Sequence, residues 1–261
     1  MRHIRSAMAL LVCLILLAGC GIVAPQDYVL PAHPYTPQDF AEVNGYLTCT
    51  AGNAVVGIDV SSHQGEIDWQ KVASAGVKFA FVRLGYRGYD SGSLEEDAYA
   101  KENLRKAKTA GLSVGAYFFS QAITEEEARE EAAYALGVLG GTELDLPLVC
   151  DWEYVSASAR TGSVTKEMVT ACTVAFCKAV EDAGYETMVY ANTDQIQRRL
   201  DMEKIQEYPL WLAKYDLEQS FPCKADMWQY TQEGSVSGIA GKVDINLMFT
   251  DFGLGKAYFG E

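Results

Sequence analysis

The chain has 261 residues, 49% of them hydrophobic, which suits one large folded domain and excludes a disordered chain. Its formal net charge is -14, and it becomes -16 once a leader carrying Arg2 and Arg5 is removed. So acidic a chain repels nucleic acid and anionic lipid headgroups, and neither is expected as a ligand.

The N-terminus reads as an export signal. Arg2 and Arg5 precede an apolar run from Ala7 to Ala18 that is too short to span a bilayer. Leu17-Ala18-Gly19-Cys20 resembles a bacterial lipobox. That implies a signal peptide over 1–19, cleavage before Cys20 and lipidation of its thiol, leaving an exported protein anchored to the outer face of a bacterial membrane. An ordinary signal peptide with a chance cysteine is the alternative. Residues 20–51 read as an extended, mobile tether, because four of the seven prolines (Pro25, Pro31, Pro34, Pro37) fall there without sustained periodicity.

From residue 52 the pattern changes. Val55–Val60 is a predicted strand, and Asp68–Gly76 a short helix with an Asp cap and a Gly stop. Strand Phe79–Leu84, a helix from about Leu94 to Ala110, and strand Ser113–Phe119 follow. Thr124 with Glu127 forms a capping box for a helix to about Leu139. Leu146–Tyr154 is an apolar strand ending in carboxylates, Thr165–Gly184 a helix, and Thr187–Ala191 a fifth strand. A short helical piece near Thr193–Arg199 precedes strands at Leu210–Tyr215, Asp226–Thr231 and Val243–Phe249. Repeated strand–helix units predict a parallel α/β sheet, closed into a single irregular β/α barrel over 52–261. About five βα units are followed by three strands with reduced helices.

Barrel closure also brings the regions of Cys49 and Cys223 together, and export permits a Cys49–Cys223 disulfide. Cys172 and Cys177 lie five apart on one helix and point in different directions. Cys150 reads as a small core hydrophobe.

In such barrels the reacting groups gather at the C-terminal strand ends. Polar groups sit at nearly every predicted end: Asp59, Arg83, Tyr117, Asp151 with Glu153, Asn192, Lys214, Gln229 and Asp244. Asp151 and Glu153 are spaced i and i+2, so both point to one face, roughly 6–7 Å apart at Cα. Two desolvated acids repel, one keeps its proton, and the pair can serve as the acid and the ionised partner of a glycosidase. Trp152, Trp211, Trp228 and several tyrosines, Tyr190 among them, flank these ends and suit stacking on sugar faces, although Trp211 fits barrel core better.

Gly57-Ile58-Asp59-Val60-Ser61-Ser62-His63-Gln64-Gly65 with Ile67-Asp68-Trp69 resembles the opening of glycoside hydrolase family 25, the peptidoglycan-cleaving lysozymes. Matching pieces follow in order: Phe81-Val82-Arg83, Asn103 with Ala110-Gly111-Leu112, Gly115-Ala116-Tyr117, Asp151-Trp152-Glu153, Trp211–Tyr215, Trp228–Tyr230 and Val243–Asn246. The resemblance spans residues 55–252. It implies hydrolysis of the β-1,4 link between N-acetylmuramic acid and N-acetylglucosamine in peptidoglycan glycan strands. Glu153 would be the general acid and Asp151 a stabilising or acetamido-orienting carboxylate. Asp59 and Asp244 would complete an acidic ring. Tyr117, Arg83, Trp152, Lys214, Gln229, Tyr190 and Asn192 would contact substrate.

Other chemistry finds less support. His63 has no second histidine or cysteine cluster nearby, so no zinc site is expected, and it reads as a rim or structural residue. Lys214 could form a Schiff base in another barrel family but fits pairing with a carboxylate. Ser61 and Ser62 lack a histidine–acid partnership. No metal or organic cofactor is expected, and the protein is expected to be monomeric. A family 18 chitinase would carry further aspartates where Pro147 and Val149 stand. The remaining rivals are a lipid-anchored wall-binding module without activity and a structural surface lipoprotein.

Overall fold

The computed structural model describes residues 28–215 and 220–260. The predicted signal peptide and Cys20 lie outside them. Eight strands close a barrel: β3 (Ala54–Val60), β4 (Phe79–Arg87), β6 (Ser113–Ser120), β7 (Leu148–Trp152), β8 (Thr187–Asn192), β9 (Leu210–Ala213), β10 (Met227–Gly234) and β11 (Val243–Phe249). β3 pairs with β4 on one side and β11 on the other, which seals the ring. The strands run parallel except β11, which is antiparallel to both β10 and β3. The expectation of parallel strands therefore fails at the last strand, where a short turn after β10 replaces the helical crossover that a parallel return needs.

Alternation along the strands sorts the residues into two cores. Phe79, Phe81, Val149, Met188, Trp211, Met227 and Met248 form the cluster inside the barrel. Their neighbours Ala80, Val82, Leu148, Cys150, Val189, Leu212 and Leu247 belong to the larger cluster between barrel and helices. Gly57 and Gly115 make room for the inner rings: a Cβ on Gly57 would meet the Phe79 ring at 2.1 Å, and one on Gly115 the Phe81 ring at 2.4 Å.

The covering helices start at the expected caps. Asp68 accepts from the Lys71 amide at α1 (Trp69–Ser74), Thr124 from Glu127 at α3 (Glu125–Leu139), and Thr165 from Met168 at α4 (Lys166–Asp182). The helix expected from Leu94 begins later, as α2 (Ala100–Thr109). Leu94–Glu96 instead forms β5, an antiparallel addition to the end of β4, because Gly85 to Arg87 carry that strand past the barrel rim. The piece near Thr193–Arg199 is a π-helical turn over Gln195–Arg199, followed by α5 (Met202–Ile205); α6 (Gly253–Phe259) ends the fold.

The expected mobile tether is corrected over 28–51. Phe40–Val43 (β1) and Tyr46–Cys49 (β2) form a hairpin, turned by Asn44 and Gly45, both at positive φ. Phe40 meets Trp228 at 5.0 Å and Phe221 at 5.8 Å between ring centroids. Upstream, His33 stacks on Phe221 at 4.1 Å, and the Tyr35 hydroxyl donates to Asp251 at 2.6 Å. The arm thus covers the barrel end where β3 starts and β11 finishes. Ring packing outweighs the prolines' preference for extended chain.

The expected disulfide does not form. Cys49 and Cys223 are both buried free thiols. Their regions do meet, but aromatic rings fill the junction: Phe40, paired across the hairpin from Cys49, packs on Phe221, two residues before Cys223.

Candidate functional site

The inward-facing parity of each strand ends at the barrel mouth in a polar or aromatic side chain. Asp59, Arg83, Tyr117, Asp151, Glu153, Tyr190, Gln229 and Asp244 line one cavity of about 230 Å³, joined by Ser61, His63, Gln64, Phe119 and Trp211. All four expected carboxylates therefore converge. A larger groove of about 580 Å³ lies on the outside, floored by Ala171, Val174, Ala175 and Ala179 of α4, away from these groups.

Three expected substrate residues do not reach the cavity. Trp152 lies between Asp151 and Glu153, so alternation sends it outward; it is buried under the helices, with its indole N–H donated to the Ala122 carbonyl at 2.9 Å. Lys214 follows the outward parity of Leu210 and Leu212, and both Lys214 and Asn192 line a separate hollow. Asn192 is engaged with Gln195: its side chain accepts from the Gln195 amide at 3.0 Å, and its own amide donates back to the Gln195 side chain at 2.8 Å.

The four acids form two pairs. Asp59 and Asp244 share a hydrogen bond, as do Asp151 and Glu153. In the first pair Asp59 also accepts from Gln229 Nε2 at 2.9 Å and Asn246 Nδ2 at 2.8 Å. Those amide donors favour its anion and offset part of the burial that pushes its pKa up. Asp244 is raised to about 8, first by burial and then by the charge of Asp59. Asp59 is thus the member that ionises first.

In the second pair, burial raises Glu153 to about 7, with the charge of Asp59 adding to the rise and the hydrogen bond to Asp151 opposing it. Asp151 is pushed well above the ordinary carboxyl value by burial, then by the charges of Glu153 and Asp59. The pair shares a proton through neutral pH.

Gln229, expected on the substrate, is instead saturated by protein. Its Oε1 accepts from Tyr190 at 3.0 Å and Tyr215 at 2.7 Å, while Nε2 serves Asp59 and, at 3.2 Å, Asp244. It orients both acids. Arg83 is held against Asp97 at 2.8 Å, with Ser62 Oγ accepting at 3.2 Å. Asn246 passes the network on, accepting from the Trp211 indole at 2.8 Å. Sequence reasoning missed Asp97, which lies on no strand. It quoted Asn246 without a role, although its inward parity two residues from Asp244 was the available signal. No group of histidine, cysteine and carboxylate side chains arranged to hold a metal ion occurs among the described residues.

Known proteins share this architecture. Lysozyme M1 of Streptomyces globisporus is 28% identical over 205 residues, covering 74% of this chain and 67% of that protein. The autolytic lysozyme of Clostridium acetobutylicum is 26% identical over 191 residues, 73% of this chain and 54% of its own, so the chain spans about half the length of that relative. Among solved structures, the modular autolysin LytC of Streptococcus pneumoniae, in complex with a synthetic peptidoglycan ligand, superposes with a TM-score of 0.64 at 28% identity, over 75% of this chain and 47% of that one. A family 25 glycosyl hydrolase from Bacillus anthracis gives a TM-score of 0.65 at 23% identity over 78% and 91%, a likeness of fold. Residues 58–239, well over half of the sequence, match the model for glycosyl hydrolases family 25, and the chain belongs to that family.

Proposed function

We propose that this protein is a peptidoglycan hydrolase of the muramidase type, cleaving the β-1,4 bond between N-acetylmuramic acid and N-acetylglucosamine. The observation that carries the reading is the convergence of four carboxyls at the barrel mouth, with Glu153 beside Asp151 and with Asp59 oriented by Gln229 and Asn246. Glu153 gives its proton to the glycosidic oxygen as the bond to the anomeric carbon breaks. Positive charge then grows on the sugar ring, and the oriented Asp59 carboxylate supplies a fixed negative field for it. Asp151 lines the cavity beside Glu153 and is the carboxyl placed to orient the substrate's acetamido group. Support also comes from the two relatives named as lysozymes and from the peptidoglycan ligand of the LytC complex.

The test is mass spectrometry of muropeptides released from purified peptidoglycan by the chain without its leader, beside Glu153→Gln. Fragments ending in reducing muramic acid, missing from the variant digest, are expected. A wild type that sediments with the wall and releases nothing would leave a wall-binding module. The membrane anchor is a separate part of this reading and rests on the Leu17–Cys20 lipobox. Cys20→Ala is expected to move the protein out of the membrane fraction, and detergent-dependent retention of that variant would count against the anchor.

A further inference from the structure

β7 loses its two neighbours at different heights. Its pairing with β8 ends at Asp151, opposite Tyr190, and with β6 at Trp152, opposite Ser120. Glu153 lies beyond both ladders, so strand pairing does not fix the backbone of the proposed acid. Side chains do: Gln195 Nε2 donates to the Trp152 carbonyl, and Gln121 takes the next one. Gln121, the residue after β6, donates its Nε2 to the Glu153 carbonyl at 2.6 Å and to the Ser120 carbonyl at 2.9 Å. Thr161 Oγ1 donates to Gln121 Oε1 at 3.2 Å, which sets the amide's orientation. Gln121 and Thr161 are both fully buried.

Gln121 is itself clamped. Its backbone N–H donates to Glu131 at 3.2 Å, and its carbonyl accepts from Arg160 at 2.6 Å. A buried amide this tied down costs several hydrogen bonds to move, so it passes the rigidity of the fold to the backbone it holds.

We propose that Gln121 is the positioning residue of the site: its side chain extends the β6–β7 ladder by one rung and so fixes where the Glu153 carboxyl stands. The proposal rests on the reading of Glu153 as the acid. Gln121 does not line the cavity, so it acts through the Glu153 backbone. Freed of that bond, the segment after Trp152 would swing Glu153 toward water, and the acid would lose both its alignment and its dry surroundings.

The experiment compares Gln121→Met, which keeps the length of the side chain without its donor, with Thr161→Val, which removes the hydroxyl that orients the amide. For Gln121→Met, kcat is expected to fall by about tenfold or more with KM within about twofold, since misplacement by an ångström can cost that much. The alkaline limb of the kcat profile should move to lower pH, because a solvated Glu153 ionises more readily. Thr161→Val should shift both in the same direction by less, and it carries the test if Gln121→Met does not fold. An unchanged pH profile in a folded variant overturns the proposal, since a purely structural loss would lower the amount of active protein and leave the limb in place. The Glu153 carboxyl titration, followed by NMR of carbon-13-labelled glutamate, reads the same shift without hydrolysis. If the wild type hydrolyses nothing but the titration moves in the variant, positioning stands and the muramidase reading falls. If the titration does not move, positioning falls whatever the activity.

Discussion

Asp59 and Asp244 are register partners across β3 and β11, so the ladder that closes the barrel ends at the mouth in a hydrogen-bonded pair of carboxyls. The last rung of the ladder that seals the ring carries the two side chains that set the charge at its mouth. This coupling of closure to protonation makes stability depend on pH. Asp244 keeps its proton up to about 8 in the folded chain, against an ordinary value of about 3.9. Between those values the native state binds a proton that the unfolded state has released, so stability falls as pH rises from about 4 to about 8. Glu153, raised to about 7, adds to the same decline. Scanning calorimetry should show a melting temperature that drops across that window, and Asp244→Asn should make the drop shallower. An equally steep drop in the variant would separate closure from protonation.

Glu153→Gln is expected to lower kcat by about 10²–10⁴ while the protein melts no lower than the wild type, because the amide needs no proton to stay buried. The wild-type rate should fall as pH rises through about 7, where Glu153 ionises and the pair gives up the first of its two protons. Muropeptide release against pH, with melting curves of both proteins, checks the two statements together.

Gly57→Ala is expected to destabilise the fold by about 1–3 kcal/mol, the usual cost of forcing extra atoms into a packed interior. The added methyl would press on the Phe79 ring, itself fully buried, from the same strand that carries Asp59. Denaturant unfolding gives the value; a loss under about 0.5 kcal/mol would mean that the inner rings shift freely.

Removing residues 28–51 is expected to lower the melting temperature and favour aggregation, since it uncovers Trp228, Phe221 and Phe249. Phe40→Ala should reproduce part of the loss, about 2 kcal/mol for a partly buried ring. A chain starting at residue 52 that melts like the longer one would return this segment to the status of a spacer.

The barrel was legible because its strands alternate and its first helices carry caps. Even the hairpin had a readable signal: Asn44-Gly45 between apolar residues is a turn that pairs strands, but the surrounding prolines masked it. Asp244 was found by its place in a motif. Its strand direction was hidden, because a short connection after β10 looks the same in sequence whether the chain returns or crosses over. Trp152, Lys214 and Asn192 were misplaced by proximity to strand ends: nearness along the chain does not set the face, and parity sends the first two outward. Gln121 left no trace because it touches the site through a backbone carbonyl, which any residue at 153 would offer.

The aromatic contacts of the N-terminal arm fix a polarity for the whole molecule. The arm meets the barrel at Phe249, the last residue of β11, and at Asp251 just past it, whereas Asp244 stands at that strand's opposite end. The arm and the acidic mouth therefore lie at opposite ends of the barrel, and any load applied through Tyr28 enters at the end remote from Asp59 and Asp244.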